Sequence, residues 1–596
     1  MQPVTRIGAR FTTWTCKSCR DALRGQHHAA RPNVPSRFFA STRKLNRGNL
    51  PDSPARTRFA PSPTGNLHLG SIRTALFNYL LARKTKGQFL LRLEDTDQKR
   101  TIPGAEERLY RDLQWAGLEW DEGPVINGPY GPYRQSERLS SYHAHIQGLL
   151  QASKAYRCFC SAERLDDLNR RRHDKGLNLG YDRKCADMPV DEAEQRAHSG
   201  EAHVVRFRAP ETWPRYRDLV YGHTGHGEKA NKKLYVDAPV WEDAILIKSD
   251  GFPTYHWANV CDDHDMRITH VVRGSEWMAS TPLHIAMYAA KEWTPPLYAH
   301  VPLLVDQNKQ KLSKRNFDTD IASFRDKGIF PEALVNFAAL LGWSHQQKSD
   351  IMSLRELEQS FDLKITKGNT VVSFEKLRFL QEQHGRRRIS AGGDYLEQLI
   401  RDVAVSLLNK EGAAKIAALV GKRNLRDVVA SMLHAESLAF SSPLDFAEKC
   451  SIFVTPPRRP KLDIEDSQLV KELHIAASTL LFVPESQWTQ ATHSENLKDM
   501  DFHGPDADPK SKKKWKGQLY HYLRWALLGG VPGPNIPQTM EILGRPICVD
   551  RIQRAISESS QESKQRENMS TRPQILKTAT DASTWSAIKS EATAKS

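Results

Sequence analysis

Apolar residues in the first part of the chain switch between two periods in a fixed order. Thr57–Ala60 reads as a short strand, entered through a linker with Pro51 and Pro54. Ile72, Ala75, Leu76, Tyr79 and Leu80 then recur at helical spacing. They predict a strongly amphipathic helix from Ser71 to about Lys84, with Gly87 as its stop. Gln88–Leu93 (QFLLRL) is a second strand. Strand, helix and strand in this order make a βαβ unit, hence a parallel sheet with a right-handed crossover. Ligands of such sheets lie beyond the carboxyl ends of the strands. Arg58–Ser62 and Glu94 both emerge there, so they should face one crevice.

Helical periodicity continues through Gly104–Gly117 and Ser136–Ser153. Residues 202–222 alternate between turn signals and predict small antiparallel strands, so about 151–237 reads as an inserted domain. The sheet pattern resumes at Asp243 with AILIKSDGFPTYHWANVCDDH and ITHVVRGSEW, and Val301–Val305 is a further apolar strand. From PEALVNFAALLGW at 331–343 the pattern is mostly helical towards Arg551. Leu396, Leu399, Ile400, Val403 and Leu407 mark one such helix, for which Asp394 and Glu397 predict a capping box. After Arg554 the Ser, Thr, Lys, Glu and Gln content predicts a disordered tail. Apolar runs such as Phe337–Gly342 are far too short to cross a bilayer, so no membrane insertion is expected.

Composition changes this picture in two places. The chain has 596 residues, enough for several domains, and a net charge of +16 that points to a polyanionic partner. The first fifty residues, however, hold ten Lys/Arg against one acid, Asp21, and leave only +7 for the other 546. That leader is rich in Arg, Ser, Thr and Ala and lacks an apolar core, the composition of an organellar transit peptide. Arg37 stands three residues before a cut after Phe39, so import into the mitochondrial matrix is expected. Nucleic-acid binding must then be argued from elsewhere. Eight cysteines make no disulfide framework and suit a reducing compartment, with Cys16 and Cys19 incidental to the leader.

Two short stretches carry phosphate chemistry. In RFAPSPTGNLHLG, Arg58 to Gly70, a glycine turn opens a helix whose unpaired N–H groups favour an anion. In KLSKR, Lys311 to Arg315, four of five residues can donate to phosphate on what must be an exposed loop. HLG resembles the HIGH signature and KLSKR the KMSKS signature of class I aminoacyl-tRNA synthetases. With LRLEDTD and SDGFPTYHWANVCDDHDMRITHVVRGSEW, the chain resembles glutamyl-tRNA synthetases of the bacterial and organellar type. The likeness is dense over about 56–390 and weaker to about 553.

The resemblance implies a Rossmann-like α/β catalytic domain in two halves, 51–150 and 238–320, around an acceptor-end-binding insertion at 151–237. It implies a helical stem-contact domain at 321–390, a helical anticodon-binding domain at 391–553, a leader at 1–50 and a tail at 554–596. It also implies L-glutamate, ATP with Mg2+ and tRNA(Glu) as partners, possible charging of tRNA(Gln), and a monomer. ATP would be handled by His68, Gly70, Glu276, Trp277, Lys311, Leu312, Ser313, Lys314 and Arg315, with His68, Gly70, Lys311, Ser313 and Lys314 catalytic. Glutamate would meet Arg58, Ala60, Ser62, Glu94, Tyr255, Asn259 and Arg273. The residues agree with this independently: a side-chain carboxylate asks for a guanidinium fork, and Tyr255 and Asn259, four apart, would share a helical face.

Cys158, Cys160 and Cys185, with Tyr181 as an unusual fourth ligand, could bind zinc, as some bacterial relatives do. Asp187 falls where a second Cys or His would have completed the usual set, so reduced structural cysteines are the simpler reading and no metal is assigned. Arg386–Arg388, Lys512–Lys514 with Trp515, and Arg524-Trp525 mix cations with aromatics and are the candidate RNA contacts. A glutaminyl-tRNA synthetase, whose anticodon-binding part is β-barrel in character, a tRNA-modifying glutamyl transferase without an anticodon region, and a non-catalytic RNA-binding descendant remain alternatives.

Overall fold

The computed structural model describes residues 50–177, 179–225, 241–310, 312, 320–435, 438–500 and 508–578, with side chains described as far as 562. The leader up to 49, Lys311, Ser313, Lys314, Arg315 and the residues from 579 lie outside them.

Strand β1 (Arg56–Phe59) pairs in parallel with β2 (Gln88–Leu91), Thr57 opposite Phe89, and the helix Leu69–Lys84 connects them as the periodicity predicts. That helix is not amphipathic in place. Leu69, Ile72, Ala75, Leu76, Phe77, Leu80 and Leu81 are buried, and so are Arg73 and Asn78. It is held between the strands on one side and the helices Pro331–Leu340 and Leu354–Ser360 on the other, so both faces are covered. Its left-handed exit residue is Lys86, not Gly87. Gly87 is needed for a close approach: a Cβ there would lie 1.9 Å from the carbonyl oxygen of Ala55.

The second half of the sheet contains β8 (His270–Gly274) and β9 (Leu297–Val301), parallel, with Arg273 opposite His300. Thr269 joins the halves, donating its N–H to Arg56 O at 3.0 Å and accepting from Arg56 N through Oγ1 at 2.8 Å.

The boundaries of the insertion differ from 151–237. Its own sheet is β3 (Ala155–Cys158), β4 (Val204–Phe207) and β7 (Ile245–Ile247), all antiparallel neighbours, so β7 belongs here and not to the returning catalytic half. Conversely, β5 (Tyr216–Asp218) pairs in parallel with β9 through Asp218 and Tyr298, and β6 (Gly222–Thr224) pairs antiparallel with β5. Alternation alone could not tell which sheet each three-residue strand would extend.

Among the described residues from Ile321 onward the elements are helical apart from β11 (Thr370–Val371), which pairs with β10 (Leu304–Val305) and ties this helical region to the catalytic half. Phe337, Leu357, Leu377 and Leu380 share one apolar core with the βαβ unit, whereas Leu399 to Ala555 form a second. The expected capping box at Asp394 does not form. Gly392 is the N-cap of Gly393–Glu411, and Glu397 binds Arg426 instead. The helix Arg545–Thr578 runs through most of the segment expected to be disordered. Among the described residues no helix is long and apolar enough to cross a membrane.

Under the sheet lies a buried charge cluster. Arg92 donates to Asp263 at 2.7 Å and Glu94 at 3.3 Å, and sits 3.6 Å from Asp262. Arg58 donates to both oxygens of Asp263, and Arg138 to Asp262 at 2.6 Å. Burial pushes the Asp263 carboxyl up, but Arg58 and Arg92 outweigh it and hold it below the usual range. A carboxyl depressed in this way adds stability that is present above its unfolded value, near 4, and is lost as the pH falls through the folded value. Arg92→Ala should therefore destabilise the catalytic region by roughly 3–5 kcal/mol near neutral pH, because it removes the buried cation shared by Asp263, Asp262 and Glu94 and leaves Arg58, Arg138 and Asn259 to compensate three buried carboxylates. The deficit against the parent protein, followed by urea unfolding, should narrow as the pH falls below about 4.

Candidate active site

A crevice of about 960 Å³ opens beyond the carboxyl ends of the parallel strands. Arg58, Ala60, Ser62, His68, Gly70, Glu94, Tyr255, Asn259, Arg273, Glu276, Trp277 and Leu312 all line it. Every described residue that the sequence assigned to glutamate or ATP is thus brought to one place. Lys311, Ser313, Lys314 and Arg315 lie outside the described residues, but the chain on either side of them is fixed at the crevice. Leu312 N donates to Leu304 O at 3.1 Å, and Ile321 N to Leu67 O at 3.1 Å. Asp320 bridges to His68 and accepts from Asn66.

His68 is the N-cap of Leu69–Lys84, exposed and in extended backbone conformation. Its Nδ1 accepts from Ser71 N at 3.2 Å, which in the neutral ring puts the proton on Nε2. A Cβ on Gly70 would come within 3.0 Å of the His68 ring, so this glycine gives the imidazole its room. Ser62 Oγ donates to the Glu94 carbonyl and closes the turn across the strand ends.

One face of the helix Tyr255–Asp265 presents Tyr255, Asn259 and Asp263 at spacings of four. Asn259 donates to Glu94 Oε1 at 2.9 Å and accepts from Arg58 at 3.4 Å. Burial raises the Glu94 carboxyl above its ordinary value, with Arg92, Arg58 and Asn259 opposing. A cation in the crevice would lower it again. Burial and the nearby Glu94 push the Tyr255 phenol up to about 12, so it stays a neutral donor. Its ring stacks on Trp277 with centroids 4.3 Å apart. The Glu276 carboxylate folds over Gly274, where a Cβ would be 2.0 Å from it.

Arg58 and Arg273 differ in a way the sequence did not reveal. Arg58 is paired with Asp263. Among the described residues Arg273, buried on β8, meets neutral acceptors only. Its Nε donates to His300 Nε2 at 3.2 Å, Nη1 to His284 Nδ1 at 3.4 Å and Nη2 to Thr281 Oγ1 at 2.7 Å. His300 in turn holds Asp218 through Nδ1 at 2.6 Å. Burial keeps His300 below its ordinary value despite Asp218, and burial with Arg273 drives His284 far lower, so both rings are neutral acceptors. Arg92, Asp263, Asp218, His284 and His300 were missed. Arg92 could have been noticed as a cation within an apolar strand, whereas Asp218 looked like part of the insertion.

The cysteine set also converges. Among the described residues, Cys158, Cys160 and Cys185 place their sulfurs within 4.8 Å of one another, with the Tyr181 hydroxyl 3.2 Å from Cys158. Hydrogen bonding from Cys185 depresses the Cys158 thiol, against burial, to about 4, with Tyr181 adding to it. Three thiols and a phenol at this spacing fit a tetrahedral thiophilic ion, for which zinc–sulfur bonds are about 2.3 Å. Such an ion would tie the end of β3 to the loop that carries Tyr181 and Cys185. None of the four residues lines the crevice.

Of the proposed RNA contacts, Trp515 and Trp525 are buried, and Trp525 Nε1 donates to Pro460 O at 2.7 Å. Arg524 donates to Pro534 O, and Arg387 and Arg388 bind Glu356 and Glu332. These aromatics and arginines support the fold.

Residues 54–379 match the family model described as tRNA synthetases class I (E and Q), catalytic domain, and 443–556 match an anticodon binding domain. A mitochondrial glutamate–tRNA ligase of Saccharomyces cerevisiae is 40% identical over 84% of this chain and 90% of its own. A glutamate–tRNA ligase of Alkaliphilus metalliredigens is 37% identical over 84% of this chain and 98% of its own. A crystal structure of glutamate-tRNA synthetase from Elizabethkingia anophelis superposes with a TM-score of 0.68 at 29% identity, covering 84% of this chain and 99% of that one. With the sheet, the crevice and both family domains in place, the chain belongs to the glutamate–tRNA ligases, class I aminoacyl-tRNA synthetases.

Proposed function

We propose that the crevice joins L-glutamate to ATP, supplied as its magnesium complex, and then passes the glutamyl group to the terminal adenosine of tRNA(Glu) in mitochondria. The observation that carries the choice of amino acid is Arg273. A buried guanidinium held only by neutral acceptors is short of one anion, and a substrate side-chain carboxylate supplies it. Glu94 receives the α-ammonium, and Tyr255 and Asn259 complete the contacts. The substrate α-carboxylate attacks the α-phosphorus; the new carboxyl–phosphate bond forms as the bond to the β-phosphate oxygen breaks and pyrophosphate leaves. His68 Nε2–H donates to the phosphate while charge shifts, and Lys314 balances the departing pyrophosphate, with Lys311 and Ser313 shaping the loop. Positioning and charge stabilisation carry this step, and no enzyme nucleophile is needed.

The mitochondrial assignment rests on the basic, acid-poor leader and on the mitochondrial relative. In the same reading the enzyme also loads glutamate onto tRNA(Gln). Purified mitochondrial glutamate and glutamine tRNAs, offered with labelled glutamate, test both parts. Charging of tRNA(Glu) alone would remove the second.

Glutamate-dependent ATP–pyrophosphate exchange, run with and without tRNA, tests the reaction. Folded protein that gave no exchange under either condition would refute it. Arg273→Lys should raise the KM for glutamate roughly 10- to 100-fold and leave the KM for ATP nearly unchanged, because an ammonium cannot reproduce the fork. Lys314→Ala should slow adenylate formation, read by single-turnover quench, far more than it weakens glutamate binding. A defect confined to binding would contradict the role given to Lys314.

A further inference from the structure

The helix Pro509–Leu528 has no acidic residue in its 20 positions. Trp515, Leu519, Tyr522 and Leu523 bury one side of it in the second core. At 100° per residue, Lys510, Lys513, Lys514, Gly517, Tyr520 and His521 fall together on the other side, and all six are exposed. The sequence drew attention to Lys512–Lys514 with Trp515. In the fold Trp515 points into the core, Lys512 lies off this face, and Lys510, Gly517 and Tyr520 join it. Among the described residues Lys510, Lys513 and Lys514 have no ion-pair partner.

Two properties of this face work against the helix itself. Lys510 stands three and four positions before Lys513 and Lys514, spacings at which like charges repel. Gly517 occupies a helix interior, where glycine is disfavoured relative to alanine. Nothing lies within 4 Å of where its Cβ would be, and its φ is not positive, so neither packing nor backbone conformation asks for glycine. Both properties become favourable against a polyanion that comes close to the backbone at Gly517.

We propose that this face contacts the sugar–phosphate backbone of the tRNA, with Lys510, Lys513 and Lys514 on phosphates, the strand passing over Gly517, and Tyr520 at the edge for an unstacked base. RNA is favoured over a membrane surface because the face carries cations and the rings of Tyr520 and His521 and no large aliphatic side chain. The helix also lies within the segment that matches an anticodon binding domain. The inference rests on the proposed charging of tRNA and adds where its backbone is held.

The test uses the full-length enzyme and measures tRNA binding between 50 and 200 mM salt, a range chosen because about 10³ to 10⁵ in affinity is lost across it when several phosphates are neutralised. In a variant with Lys510→Gln, Lys513→Gln and Lys514→Gln, the slope of log K against log salt should flatten by about two to three. Its KM values for ATP and glutamate should stay at the parent values. Gly517→Ala should raise the melting temperature and weaken tRNA binding several-fold, a pairing that a merely structural glycine would not produce. A triple variant with the parent slope overturns the proposal, whatever Gly517→Ala does. If the parent protein instead binds tRNA but gives no glutamate-dependent exchange, the reading of the crevice fails while the RNA face stands.

Discussion

The catalytic region depends on a chain of buried charges whose members come from distant parts of the sequence. Asp262 and Asp263 sit in the last turn of the helix Tyr255–Asp265, where the helix dipole already disfavours a carboxylate. They are tolerated because Arg58 from β1, Arg92 beyond β2 and Arg138 converge on them. Each arginine alone would be an expensive buried cation and each aspartate an expensive buried anion. Together they lock the two halves of the sheet to the one helix that carries Tyr255 and Asn259. Glu94, at the open edge of this cluster, is where the fixed charges give way to a place for a ligand.

The crevice is thereby divided electrostatically. On one side the charges are already matched within the protein, and Arg58 belongs to that side. On the other, Arg273 is fixed at three nitrogens by neutral acceptors, and among the described residues no carboxylate pairs with it. This difference sets an arginine whose charge is matched by a carboxylate apart from one held by neutral groups, although both stand in equally characteristic words of the sequence.

Much of this was legible beforehand. The βαβ unit follows from a change of hydrophobic period and the crevice from where its strands end. The described residues expected at the site meet there. What was not legible depended on contacts between distant segments. The helix Leu69–Lys84 reads as one-sided, because the helix Pro331–Leu340 that covers its other face is encoded far later in the chain. Three-residue strands such as β5 and β7 carry too little pattern to declare a sheet, so they changed places. Trp515 and Trp525 look like stacking platforms beside lysine and arginine, yet their spacing along the helix turns both rings inward. Asp394 and Glu397 have the spacing of a cap, but Arg426 takes Glu397 for a tertiary ion pair.

The exchange of β5 and β7 between sheets means that the insertion and the catalytic domain are stitched rather than appended. The chain leaves the insertion's sheet at β4, lends β5 to the catalytic sheet, and returns to finish the insertion with β7. A modular excision between Lys154 and Lys248 would therefore take Asp218 with it, and with Asp218 the support beneath His300 and Arg273. The crevice and the insertion are for that reason not separable parts that evolution or an engineer could exchange independently: any lineage that remodels one inherits a constraint on the other through a single three-residue strand.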